Sequence, residues 1–87
     1  MSLLFPNPAR SFDEVEMGVR FTGYDGMTSV PFLIDKTALE KNGSIAATES
    51  SLLAAFDASR KIIYDVAREV YFHARQTSYR ITVADMA

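Results

Sequence analysis

TESSLLAAFDASRKIIYDVAREVYFHAR, residues 48–75, contains neither glycine nor proline, and its apolar residues recur at helical spacing. The stretch reads as one long amphipathic helix. With 100° per residue and Ile63 at the centre of the buried face, Leu52, Phe56, Ser59, Ile63, Val66, Ala67, Val70 and Ala74 fall within about 60° of that centre. Leu53, Tyr64 and Tyr71 flank one side, and Ala55, Ile62 and His73 the other, so the apolar arc spans about 200°. Phe72 falls nearly opposite Ile63, among Lys61, Asp65 and Arg68. A helix from Thr48 to Arg75 would run about 42 Å, whereas an 87-residue globule is roughly 30 Å across. The helix should therefore overhang its own domain. The wide arc, the overhang and Phe72 together favour a homodimer built through this helix, with Phe72, Ile62 and His73 at the interface.

The rest of the chain fits one domain over residues 1–87, because 48% hydrophobic content at this length supplies one core and not two. There is no cysteine, which excludes disulfides, a thiol nucleophile and thiolate metal sites. The opening Met1-Ser2-Leu3-Leu4-Phe5 is too short for a membrane span and is interrupted by Pro6 and Pro8, so no membrane association and cytoplasmic residence are expected. Net charge is −2, giving no general pull toward polyanions. Asn42-Gly43-Ser44 matches a glycosylation acceptor, but is more simply the end of a helix.

Upstream, Val19 to Tyr24 and Met27 to Ile34 flank Asp25-Gly26, a dipeptide suited to a type I′ hairpin. That turn sets Phe21 opposite Val30 and Val19 opposite Phe32, gathering the apolar residues on one face. Arg20, Thr22 and Tyr24 share the other face with Pro31, Ser29 and Met27. Pro31 then occupies a hydrogen-bonded pair without an N–H to donate, so a bulge or an interrupted ladder is expected there. Ser11 to Asp13 can be a strand, or the capping box of a short helix ending at Gly18. Lys36 to Lys41 reads as a short helix capped by Asp35 and stopped by Asn42-Gly43, and the alternation around Tyr79, Ile81 and Val83 as a returning strand. The fold class is α+β: a three- to four-stranded antiparallel sheet, from the N-terminal strands and the C-terminal strand, packed on one long helix with a short crossover helix.

Phe5-Pro6-Asn7-Pro8, Arg10-Ser11-Phe12-Asp13, Val19-Arg20-Phe21, Gly23-Tyr24-Asp25-Gly26, Leu52-Leu53-Ala54-Ala55-Phe56-Asp57 and Tyr79 with its short tail span nearly the whole chain. In these runs the sequence resembles the small bacterial proteins grouped as domain of unknown function 1488 (DUF1488). The motifs are structural: turn residues, strand aromatics and a helix start. The resemblance implies a strand for Ser11 to Asp13 and helices against an antiparallel sheet. It implies no activity and no functional residue.

Chemistry-bearing patterns are few. His73 is the one histidine, and Asp65, Glu69 and His73 follow at i, i+4 and i+8. Those three positions span about 12 Å, too far for one ion to hold them all, so pairs Lys61–Asp65 and Glu69–His73 are expected instead. Serines lack a nucleophile elbow and the glycines are dispersed, so neither a hydrolase nor a phosphate loop is indicated. No enzyme, metal or cofactor is expected. The reading is a noncatalytic interaction module, homodimeric or with an unknown protein partner. The alternative is a nucleic-acid-binding or regulatory protein using the stripe Tyr64, Arg68, Tyr71 and Arg75. Against it stand the net acidic charge and Asp57 in the same stripe; Arg20 and Arg80 on neighbouring strands would favour it.

Overall fold

In the computed structural model, which describes residues 3–40 and 48–86, the long helical stretch is two helices and not one. Thr48 starts the first through a capping box: its hydroxyl accepts from Ser51 N, while the Ser51 hydroxyl accepts from Thr48 N. This helix, Glu49–Ala58, ends at Ser59, whose φ of −111° and ψ of 16° leave the helical region. A second helix, Arg60–His73, follows at once. The α-helical ladder is interrupted there, although no proline or glycine marks the place. Ser59 N donates to both Ala55 O and Phe56 O, and Ile63 N donates to Ser59 O at 2.9 Å. The expected overhang is thereby corrected: the longer piece, at 14 residues, runs about 21 Å within a molecule of 38 × 24 × 23 Å.

In chain order the elements are β1 (Arg10–Asp13), β2 (Gly18–Asp25), β3 (Thr28–Asp35), α1 (Lys36–Glu40), α2 (Glu49–Ala58), α3 (Arg60–His73), β4 (Tyr79–Ile81) and α4 (Val83–Met86). The fold is α+β with a four-stranded sheet in the order β1-β2-β3-β4. Arg10–Asp13 is a strand, with Phe12 opposite Val19, so the capping-box reading gives way. The sheet is mixed: β1, β2 and β3 are antiparallel, and β4 lies parallel to β3, with Phe32 opposite Tyr79 and Ile34 opposite Ile81. Among the described residues α1, α2 and α3 intervene between β3 and β4, and the chain returns to the end where β3 began, as a parallel pair demands. Val83 belongs to α4 and not to the last strand. The expected helix stop at Asn42-Gly43 lies outside the described residues.

The β2–β3 hairpin differs from expectation by a slip of two residues. Phe21 pairs with Phe32, Gly23 with Val30 and Asp25 with Thr28, so the turn residues are Gly26 and Met27. Only Gly26 has positive φ in this turn (63°), the pattern of a type II′ and not a type I′ turn. A slip of two keeps every side chain on its face. It also resolves Pro31. Counting from the closing Asp25–Thr28 pair, Pro31 opposite Thr22 is a non-hydrogen-bonded position, where β2 asks for no N–H. β3 accordingly runs unbroken for eight residues, without the expected bulge.

Val19, Phe21, Val30, Phe32, Ile34, Tyr79 and Ile81 fill the inner face of the sheet, against Leu52 and Phe56 of α2 and Ile63, Ala67 and Tyr71 of α3. The buried line of α3 is thus turned toward Tyr71, which is 5% exposed. Val66 and Val70, expected at the centre, are only partly buried, and Ala74 is exposed. Leu3 enters the same core from an N-terminal arm that bridges Leu4 to Tyr24 by two 2.8 Å backbone hydrogen bonds.

Two glycines test this packing separately. A Cβ on Gly18 would lie 2.4 Å from Ile34 O and 3.0 Å from Leu33 Cγ, whereas a Cβ on Gly26 meets nothing within 4 Å but sits at positive φ. Gly18→Ala should lower stability by more than about 2 kcal/mol, and Gly26→Ala by about 1 kcal/mol. Urea unfolding midpoints check the order; equal losses would refute it.

Candidate functional site

The Tyr/Arg stripe on α3 is largely occupied by the protein itself. Tyr64 stacks on Phe5 with ring centroids 4.0 Å apart and planes 3° from parallel. Arg68 lies over the same Phe5 ring, and its Nε donates to Leu3 O at 2.9 Å. Tyr71 is buried, and its hydroxyl donates to Asp25 Oδ2 at 2.6 Å, tying α3 to the hairpin end. Arg75 covers the Tyr71 ring at 4.8 Å. The four residues therefore hold the N-terminal arm and the hairpin in place. Tyr64 and Tyr71 do not offer two open rings to a base.

The stripe extends one turn further back than its sequence spacing suggested. Arg60 stands four residues before Tyr64, donates to the Tyr64 hydroxyl at 2.6 Å and to Pro8 O at 3.0 Å, and pairs with Asp57 across the Ser59 bend. Arg10 of β1 grips the same carboxylate in a fork, Nε to Oδ1 at 3.0 Å and Nη2 to Oδ2 at 2.8 Å. Sequence spacing could have reached Arg60, which continues the i, i+4 pattern. The partnership of Arg10 and Asp57, 47 residues apart, has no local signal.

The other side of α3 carries the expected interface residues. Ile62 and Phe72 are 57% and 54% exposed, and His73 is exposed with Nε2 3.4 Å from Glu69 Oε2. Lys61 pairs with Asp65 at 3.2 Å as the spacing predicts. Ile62, Glu69 and His73 lie within about 20° of one line along the helix, with Phe72 about 80° to one side. The structure thus places Ile62, Phe72 and His73 on one outward face. Among the described residues no group of three His, Cys, Asp or Glu side chains could hold a metal ion.

On the open face of the sheet, Arg20 and Arg80 are not on neighbouring strands; Leu33 of β3 stands between them in one row. Both are paired with carboxylates, Arg20 with one and Arg80 with two. Arg20 Nε meets Asp13 at 2.6 Å, and Arg80 meets Glu16 at 2.9 Å and Asp35 at 2.6 Å while also donating to Glu16 O. Asp35 Oδ1, which no aligned hydrogen bond reaches, is satisfied by that ion pair. A cleft of about 380 Å³ opens beside them, lined in part by Glu16, Arg20, Leu33 and Arg80. Two guanidiniums face three carboxylates, so this face has no cationic surplus.

Hydrogen bonds from Arg10 and then Arg60 hold the Asp57 carboxyl below its ordinary range. The Glu16 backbone N–H and then Arg20 do the same for Asp13. A carboxyl whose folded pKa is depressed contributes stability above its unfolded value, near 4, and that contribution is lost as pH falls through the folded value. Asp57→Asn should therefore be less stable than wild type at neutral pH and equal to it in strong acid; a gap that persists unchanged below about pH 2 would contradict this. Tyr71 shows the opposite sign. Its hydrogen bond to Asp25 raises the phenol above its ordinary range, so that contribution holds below about pH 10 and is lost as pH rises through the raised value. Tyr71→Phe should cost about 1–2 kcal/mol at neutral pH and lower the temperature midpoint by calorimetry.

Comparison with curated proteins and with solved structures yields no match. A family model described as protein of unknown function (DUF1488) matches residues 3–83. That span takes in the arm, the whole sheet, the bent helix pair and the first residue of α4. The chain belongs to the DUF1488 family.

Proposed function

We propose that the protein is a small noncatalytic interaction module of the cytoplasm that pairs with a second copy of itself through α3. The observation that carries this is the exposure of Ile62 and Phe72, 57% and 54%, on the side of α3 turned away from the sheet. Their Cα atoms are ten residues and about 15 Å apart along the axis. Two large apolar groups at that spacing suit a two-fold axis perpendicular to the helix, which sets each Phe72 against the other copy's Ile62. Glu69 lies between them, paired with His73 one residue beyond Phe72, and that pair can stay hydrated at the rim. Half-buried Val66 and Val70 extend the apolar surface toward a groove bounded by α3 and α4. The absence of cysteine means that nothing in the stability of the chain depends on an oxidising compartment.

Light scattering checks the reading. Wild type should give twice the 9.7 kDa of one chain, and Phe72→Glu or Ile62→Lys should give the single-chain mass with an unchanged circular dichroism spectrum. A wild-type protein that stays at the single-chain mass at high micromolar concentration would reject it.

A further inference from the structure

Charge is unevenly placed on this molecule. Arg10, Arg60, Lys61 and Arg68 form one connected patch with only Asp57 and Asp65 among them. Four cations against two carboxylates leave +2 in the patch, so the remainder of a chain of net −2 carries −4. Each carboxylate is shared: Asp57 between Arg10 and Arg60, Asp65 between Lys61 and Arg68. Uncharged acceptors supply much of the remaining hold. Leu3 O fixes Arg68, and Pro8 O and the Tyr64 hydroxyl fix Arg60. Such contacts set the position of a guanidinium without cancelling its charge. Lys61 is paired with Asp65, but its side chain is 90% exposed.

Arg60, Lys61, Tyr64, Asp65 and Arg68 line an open groove of about 520 Å³ along the first two turns of α3. We propose that this groove binds the phosphodiester backbone of a single-stranded nucleic acid, without reading its sequence. Three cations spread from Arg60 to Arg68 over about 12 Å of helix, which suits a repeating anion better than a lone phosphate. The Tyr64 ring is already stacked on Phe5, so the groove contacts charge and not bases. It is a shallow concavity beside the N-terminal arm. A flexible strand can follow it, whereas a stiff duplex would ride on its rims. The site differs from the sequence stripe in its members: Arg60, Lys61 and Asp65 enter, and Arg75 and buried Tyr71 leave.

The test is fluorescence anisotropy of a labelled oligothymidylate with the full chain. Three phosphate contacts predict a log–log salt slope of about −2, hence roughly 20-fold weaker binding at 200 mM than at 50 mM salt. Lys61→Glu, at an exposed position, should weaken binding several-fold and reduce the slope by about 1. Glu14→Lys on the exposed β1–β2 turn changes the net charge by as much, in the opposite direction, and should leave binding within about twofold of wild type, as expected of phosphate contacts confined to the groove. No binding at 50 mM salt would overturn the proposal, as would indifference to Lys61→Glu or a gain from Glu14→Lys as large as the Lys61→Glu loss. So would polyglutamate competing as well as the oligonucleotide, since the site would then be one for acidic polypeptide.

Discussion

Phe21 is where the molecule is joined. Its ring lies 5.2 Å from Phe32 of β3, 5.1 Å from Phe56 of α2, 5.8 Å from Tyr64 of α3 and 6.0 Å from Phe5 of the arm. One side chain in the middle of β2 thus touches four separately contributed pieces of chain, and buried aromatic pairs of this kind add to the area that each ring hides. The cluster extends from Phe32 to Tyr79 and on to Tyr71, which brings β4 and the far half of α3 into the same contact. The bend at Ser59 follows from it. Phe56 and Tyr64 both contact Phe21 from opposite sides of the bend, while Arg10, Asp57 and Arg60 bracket the bend from outside. Two helices at an angle can cover a small twisted sheet where one straight rod would leave its end.

The sequence shows side-chain faces far better than it shows chain paths. Val19, Phe21, Val30, Phe32 and Ile34 can be assigned to the inner face from alternation alone, and a register slip of two leaves that assignment untouched. For the same reason alternation cannot see the slip, and Asp25-Gly26 gives a turn that the structure replaces with Gly26-Met27. The Ser59 bend is silent because neither proline nor glycine marks it, and the helical periodicity of the side chains runs on across it. The parallel direction of β4 depends on a crossover of some forty residues, which no window of local pattern contains. On α3 the exposed residues Ile62 and Phe72 were visible as a surplus, but Tyr64 and Tyr71 were not visible as partners of Phe5 and Asp25, contacts between residues 59 and 46 positions apart.

The ionic groups divide along similar lines. On the open sheet face Arg20 and Arg80 are matched by more carboxylates than they can neutralise, and their work is to pin the β1–β2 turn across β3 and β4. On the near flank of α3 the balance reverses. The outward side of α3 therefore carries apolar and charged groups together: Phe72 stands about 20° around the helix from both Lys61 and Asp65 and about 80° from Ile62, with the sheet filling the opposite side.

β4 pairs only with Phe32, Leu33 and Ile34, so among the described residues no strand pairs on that side with the half of β3 nearest the hairpin turn. In the observed register Pro31 points its backbone nitrogen to that side. An incoming strand from another molecule would look there for an amide proton and find a ring carbon instead. The residue expected to interrupt the hairpin thus acts as a guard on the sheet, limiting growth at this edge.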